Sequence, residues 1–328
     1  MTRRRSILAA VPLALALAAP AAAQVPSAPS DPIVTPKEAR MSVAMKSGRV
    51  DRGTRWALTG DRFLVTGHVW PYVEGQKVTV ELYRSGKLVD SREVKVEKDE
   101  TRQNAGKFQN RFKIKDEGSY SVRAVHAATA EQAAGESKAK EFRVIPAHVR
   151  GEESTRLLQI SLNSLAYISP VNGSLDDATR RAVLAFRKVQ GWRRTGSPTS
   201  DVFRRVFNGG GAFKPRYDGP SKHVEGDLGR QVIVLIDNGK PDQIYTMSSG
   251  KPSTPTVKGK FTFYRSQPGS NSHGMYYSRY FYRGYAVHGY PSVPATYPAS
   301  HGCLRVPIPD AYRIYKSIDI GETIYVYD

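Results

Sequence analysis

Tyr285-Ala286-Val287-His288-Gly289 and, a short spacer later, Ser300-His301-Gly302-Cys303-Leu304-Arg305 hold the only cysteine among 328 residues. His288 lies thirteen residues before His301, at the end of a strand-like run. A thiol near neutral pH is only about a few per cent ionised, so it needs a base or a positive neighbour to act as a nucleophile. Two imidazoles and a guanidinium close to Cys303 offer both. Gly302 permits a tight backbone approach, and its N–H together with that of Cys303 can face a developing oxyanion. Taken by themselves the residues leave three readings open. Cys303 is a nucleophile, or a zinc ligand beside His288 and His301 with water in the fourth place, or a small buried hydrophobe. The loop-like flank of Pro298, Ser300, His301 and Gly302 argues against burial, and no His-x-x-x-His pair supports zinc.

Working outward, the surrounding stretch is rich in strands. Gln231 to Ile236 is followed by the turn Asp237-Asn238-Gly239-Lys240 and a return through Gln243 to Met247, a hairpin pattern. Phe261 to Tyr264, Tyr285 to His288 and Thr323 to Tyr327 follow, with one helix from Pro309-Asp310 through Tyr315. This predicts a mostly-β domain over 229–328. Its aromatics, Tyr276, Tyr277, Tyr280-Phe281-Tyr282 and Tyr285, divide between core packing and a groove or lid, where flat rings with a polar tip can meet a ligand. Lys251 adds attraction for carboxylates, and His273 reads as a loop residue. Gly, Pro and Lys over 209–228 predict a linker. Residues 150–208 switch to a helical period, with Ser154 opening one helix, Ser174 or Asp176 a second and Ser200-Asp201 a third, a small three-helix bundle. Over 41–146 short alternating runs with β-branched residues and glycine turns predict an antiparallel, Ig-like β-sandwich. His68 and His126 there read as structural or surface residues.

The first residues read as targeting signal. Met1-Thr2-Arg3-Arg4-Arg5 is basic, Ile7 to Ala19 is apolar, and Ala21-Ala22-Ala23 predicts cleavage after Ala23, with no membrane span in the mature chain. Arg4-Arg5-Ser6-Ile7-Leu8 has the outline of a twin-arginine signal without its usual Phe. Residues 24–40, rich in Pro, Ser and Ala, predict a flexible leader. The formal charge is +19; cleavage removes Arg3, Arg4 and Arg5 and no acid, so the mature chain stays strongly basic. Such a chain is drawn to polyanions. The scattered cations, with no recognition helix or zinc-finger spacing, speak against nucleic acid. Export shifts the expectation to periplasm or cell wall, with anionic wall polymers as further partners. An exported chain with a single thiol also lacks a disulfide partner within itself.

From about Gly229 to Asp328 the chain resembles the L,D-transpeptidase catalytic domain, the YkuD family. His288-Gly289, Ser300-His301-Gly302-Cys303 and Leu304-Arg305 match its signature at every fixed position. Ser248-Ser249-Gly250-Lys251, Thr254-Pro255, Gly259 and Phe261 resemble its upstream elements, with Ser249 for the commoner Thr and Thr256-Val257-Lys258 lengthening a spacer. The helical segment, through Leu157-Leu158, Asn172-Gly173-Ser174-Leu175-Asp176, Ala182-Val183 and Phe186, resembles the peptidoglycan-binding domain family. It departs where a fuller Asp-Gly-x-x-Gly motif is usual. The resemblance implies Cys303 as nucleophile and His288 as general base, oriented by the Gly289 carbonyl. It implies His301 and Gly302 beside the oxyanion site, Arg305 fixing loop geometry or meeting substrate charge, and Ser300, Tyr276, Tyr285 and Lys251 toward substrate. Two-step acyl transfer would then link third-position residues of peptidoglycan stems with release of D-Ala, without metal or cofactor. Trimming or exchange of the stem terminus, or a non-catalytic wall-binding protein, are the alternatives.

Overall fold

The computed structural model describes residues 35–328, so the expected signal peptide and most of the expected leader lie outside the described residues. The leader's last residues are already ordered into the fold. Lys37 N–H donates to Glu131 O at 3.0 Å, and its carbonyl accepts from Ala133 at 2.9 Å. The chain then forms β1 (Arg40–Met45), β2 (Arg49–Asp51), β3 (Thr54–Leu58), β4 (Arg62–Trp70), β5 (Lys77–Arg84), β6 (Lys87–Lys95), β7 (Glu97–Lys98), β8 (Gly106–Lys113), β9 (Gly118–His126), β10 (Gly135–Glu136) and β11 (Lys140–Ile145). They build two facing sheets, β1-β4-β8-β7 and β2-β3-β11-β9-β5-β6 with β10 on β9. Alternation explains the pairing: every second residue of β4, β5 and β9 is buried, and Phe63, Val65, Val80, Phe112 and Val122 meet in one core. Tyr120, near the start of β9, donates its hydroxyl to Asp116 O at 2.9 Å, the corner contact found in Ig-like sandwiches. One expectation is corrected: the sandwich is not wholly antiparallel, because β11 returns beside β3 in parallel register.

Helices α1 (Gly151–Asn163), α2 (Asp177–Val189) and α3 (Ser200–Phe207) follow. Asp176 caps α2, accepting from Thr179 N at 2.8 Å. Ser154 does not cap α1. It lies inside the helix, buried, with its hydroxyl on Arg150 O. The three helices do not form a separate bundle. Leu157, Leu162, Phe186, Phe203 and Phe207 share one core with Trp56 and Leu58 of the sandwich and with Val232, Val234 and Ile244 of the last domain. Ion pairs reinforce both seams: Arg156 with Asp51 at 2.9 Å and Arg181 with Asp310 at 2.8 Å.

The expected linker is likewise corrected. Phe213 is buried, the N–H groups of Arg216 and Tyr217 donate to the buried Glu225 carboxylate, and β12 (His223–Asp227) is buried throughout. Its polar sequence hid the strand. Then come β13 (Val232–Asp237), β14 (Lys240–Thr246), β15 (Gly259–Thr262), β16 (Arg265–Ser270), β17 (Tyr276–Tyr282), β18 (Tyr285–Tyr290), β19 (Leu304–Pro307), α4 (Ile308–Ser317) and β20 (Thr323–Tyr327). They form sheets β14-β13-β12-β20-β15 and β16-β17-β18-β19. Asn238 and Gly239 both take positive φ in the β13–β14 turn, as a two-residue hairpin requires. Among the described residues no helix is long and apolar enough to cross a membrane.

Lys188 on α2 crosses the seam between helices and catalytic sheet. It is 1% exposed, and its ammonium donates to Gln231 O, Thr246 Oγ1 and Met247 O at 3.1, 2.6 and 2.9 Å. Burial, with Arg194 nearby, brings its pKa from 10.5 down to about 7. The unfolded chain therefore binds the proton more tightly, and stability rises with pH between about 7 and 10.5. Lys188→Met is expected to remove this slope. At neutral pH it should also cost about 1–3 kcal/mol by stripping three buried acceptors of their donor. Thermal unfolding measured across that window tests both; an unchanged slope would place the titration elsewhere.

Candidate active site

Strands β18 and β19 run in parallel and pair Val287 with Leu304 and His288 with Arg305. Opposed residues share a face and neighbours alternate. Val287, Leu304 and Val306 therefore turn into the apolar core under α4, while His288 and Arg305 turn the other way. Cys303 immediately precedes β19, two residues before Arg305, and so joins the His288 face. The Cys303 thiol approaches Gly284 O at 3.7 Å.

His288 is 3% exposed. Its Nδ1 lies 2.9 Å from Gly289 O. A carbonyl can only accept, so Nδ1 carries the proton and Nε2 keeps its lone pair. Burial holds the imidazole pKa down at about 4; the Gly289 carbonyl opposes this and the Arg305 charge adds to it. Cys303 is half-buried. Burial pushes its thiol up, against the pull of the Ala286 N–H and Arg305. Both groups are therefore neutral near pH 7. Gly289 is where it is for packing as well. An added Cβ would lie 2.6 Å from Ala311 Cβ and 3.2 Å from Ile308 Cα, so a side chain there would push α4 off the strand.

The turn before Cys303 is held by its own hydroxyl. Ser300 is fully buried; its Oγ donates to Cys303 O at 2.6 Å and accepts from Gly302 N–H at 3.0 Å. Two sequence expectations are corrected by this. Ser300 cannot touch a substrate, and the Gly302 N–H is already engaged and is not a free oxyanion donor. Among the described residues the Cys303 N–H meets no protein acceptor. Gly302 has φ +118°, and a Cβ on it would fall 2.1 Å from Tyr285 Cε1. Only glycine fits beneath that ring, which stands over the turn.

Arg305 takes the loop-fixing one of its two expected roles. Its guanidinium lies 3.8 Å over the Tyr290 ring and donates to Ala299 O at 3.2 Å. The guanidinium thereby braces the protein's own loop. Tyr276 pairs with Gly289 across β17 and β18 and so shares the α4 face; the structure does not bring it to the Cys303 side. Lys251 and His301 do meet at the mouth, Nζ to Nε2 at 3.3 Å, with His301 exposed. The Lys251 N–H also donates to Ser300 O. Gln231 escaped the sequence reading. Its buried amide holds Ser249 from both sides, accepting from the N–H at 2.9 Å and donating to Oγ at 2.7 Å. Lys188 escaped it too, although its place three residues after Ala185 on α2 marks a buried position. Among the described residues no group of three His, Cys, Asp or Glu side chains is placed to hold a metal ion.

Comparison with known proteins agrees with this arrangement. The L,D-transpeptidase catalytic domain family, YkuD, matches residues 221–326, and the peptidoglycan binding domain family matches residues 151–206. No curated protein sequence matches the chain. Among solved structures, the chain is similar to an L,D-transpeptidase from Xylanimonas cellulosilytica, with 30% identity over 56% of this chain and 97% of that one and a TM-score of 0.50. The catalytic domain of the Enterococcus faecium L,D-transpeptidase gives 23% identity over 34% and 100% of the two chains, with a TM-score of 0.29. An L,D-transpeptidase from Mycobacterium smegmatis gives 13% over 90% and 100%, with a TM-score of 0.30. With almost the whole of the solved Xylanimonas chain, residues 123–326 of its protein, covered at that identity, and the family's catalytic domain matched over residues 221–326, the chain belongs to the L,D-transpeptidase family.

Proposed function

We propose that this protein is an exported enzyme that joins peptidoglycan stems through a thioester on Cys303, with His288 as general base. The observation that carries the proposal is the His288 Nδ1 contact with Gly289 O, which leaves Nε2 as acceptor on the strand face that Cys303 shares. As Sγ attacks the carbonyl of the third stem residue, Nε2 takes the thiol proton. The tetrahedral oxyanion forms beside the Cys303 N–H, the donor that the Ser300 turn leaves unused. Collapse breaks the bond to the terminal D-Ala, whose nitrogen receives the proton from His288. The side-chain amine of a second stem then attacks the thioester and gives a proton to Nε2, and the thiol is restored as the cross-link forms. Splitting one displacement into two is the reason for the covalent stage.

Neutral partners suit this scheme. A depressed imidazole beside an elevated thiol disfavours a standing ion pair, so charge separates only when the carbonyl is in place to receive it. Lys251 with His301 are the groups we assign to the carboxylates of the stem peptide. The helical domain, fixed against the catalytic sheet, is assigned to the glycan, and the envelope outside the cytoplasmic membrane is the site of action.

Incubation with purified disaccharide-tetrapeptide, followed by mass spectrometry, is expected to show a cross-linked dimer and free D-Ala. Tripeptide or terminal exchange in its place would make the enzyme a carboxypeptidase or an exchange enzyme of the same fold. Cys303→Ala is expected to abolish the thioester adduct and every product while sedimentation with sacculi persists; retained turnover would remove the nucleophile assignment. His288→Gln should slow acylation by about 10²–10⁴-fold, the usual contribution of a positioned base.

The base works only when unprotonated. Acylation should therefore be level from about pH 5 to pH 8 and fall in acid with a midpoint near 4. Stopped-flow acylation rates across pH measure this, and a midpoint near 6.5 would mean an exposed, ordinary histidine governs the step.

A further inference from the structure

The two sheets of the N-terminal sandwich treat their outward charges differently. On the larger sheet and its margin, Lys77, Arg84, Arg92, Arg123 and Arg143 each face a carboxylate, Glu93, Asp116, Asp90, Glu81 and Glu153 in turn. On the smaller sheet, among the described residues, Lys98 of β7 has such a partner in Glu100, and the cations of β1, β4 and β8 have none. Arg62 on β4 and Lys107, Arg111 and Lys113 on β8 are exposed at outward positions, alternating with the buried Phe63, Phe108 and Phe112. Arg40 on β1, Lys46 just beyond it and Lys95 at the end of β6 stand exposed around them. Among the described residues none of these seven cations takes part in an ion pair. Two acids are close. Glu97 is paired in register with Lys107, and Asp99 is held by His68 Nε2 at 3.1 Å.

Like charges placed on neighbouring strands repel one another, so a face built this way loses stability unless an external anion settles on it. The face is also hollowed. A groove of about 590 Å³ opens on it, with Lys46, His68, Lys95, Lys107 and Gln109 among its walls and Glu97 as its one carboxylate. At one end the His68 and Trp70 rings lie 5.5 Å apart and offer flat surface to a sugar ring. From Lys107 to Lys113 the cations extend over about 20 Å at the usual strand rise, which suits a linear partner with repeating charge.

We infer that the outward face of β1, β4, β8 and β7 is a binding surface for a linear, anion-bearing sugar polymer of the cell envelope. This rests on the proposed envelope location but not on the acyl-transfer chemistry. Aligned cations supply affinity that falls with added salt, and the His68–Trp70 pair favours a glycan over a bare polyanion. The sandwich then holds the enzyme to envelope material by a second contact, separate from the helical domain.

The test compares the full-length protein with Lys107→Glu/Arg111→Glu/Lys113→Glu and with the control Lys87→Glu/Lys240→Glu/Lys316→Glu, which changes net charge equally at exposed sites away from this face. Thermal unfolding verifies that both variants fold, and turnover of soluble disaccharide-tetrapeptide should be unchanged in both, so that loss of the catalytic reading shows itself separately. Polygalacturonate, uncharged chitin oligosaccharide, duplex DNA and sacculi before and after acid extraction of anionic glycopolymers serve as probes. The face variant is expected to bind polygalacturonate and unextracted sacculi at least about tenfold more weakly, the scale on which a few surface cations act near an anionic surface, and the control to bind as the parent does. Extraction should remove the difference on sacculi. Equal loss in the control, equal binding of the uncharged oligosaccharide, or DNA binding as tight as that of the glycan would each overturn the assignment.

Discussion

Parallel pairing of β18 with β19 is the constraint from which the site follows. The register that sets His288 opposite Arg305 puts Val287, Leu304 and Val306 into the core and leaves His288 and the residue two before Arg305, Cys303, on the opposite face. A slip of one residue would exchange the two sets, burying the histidine under α4 and exposing the core aliphatics. The apolar cluster beneath α4 therefore holds the catalytic register in place. Gly289 belongs to the same constraint: it lets the helix lie close, and its carbonyl selects the imidazole tautomer.

The rest of the molecule braces that pair at a distance. Ser300 closes the turn before Cys303, and Arg305 ties Tyr290 to the Ala299 loop. The Ser248 strand then bonds both ways with the Arg305 backbone. One step further out, Gln231 holds Ser249, and Lys188 holds the Gln231 and Met247 carbonyls from the helical domain. Short contacts thus run in a continuous series from α2 to the turn at Cys303. Helices and catalytic sheet share one apolar core, so the α2 end of that series is as firmly seated as its catalytic end.

Much of this was legible in the residues. The hairpin at Asn238-Gly239, the alternation of β4, β5 and β9 and the Asp176 cap are local signals, and each has a local cause. What escaped depends on partners distant in sequence. His223-Val224-Glu225-Gly226-Asp227 reads as polar linker because nothing nearby announces that Arg216, Tyr217 and Tyr327 will satisfy Glu225. The face on which Tyr276 lies is decided by a register with bulges, which alternation alone cannot supply. Ser300 was given to substrate because its chemistry suits it; only the folded loop reveals that its hydroxyl is already taken.

Charge is distributed in this chain according to what each region has to do. Around Cys303 it is withheld, since burial keeps imidazole and thiol neutral and the single nearby guanidinium is turned onto an aromatic ring and a carbonyl. A standing thiolate there would be a weaker nucleophile than its concentration suggests, because intrinsic nucleophilicity falls as the thiol pKa falls. On the small sheet of the sandwich charge is displayed without partners, where it costs stability but acts over about a Debye length, roughly 10 Å at moderate salt. A basic chain that placed its cations at random would not separate these two regimes. Here most of the sandwich's Lys and Arg ion pairs lie on the larger sheet, while the outward face of the smaller one keeps unpaired cations beside Glu97 and the Lys98–Glu100 pair, and burial keeps the imidazole and the thiol uncharged.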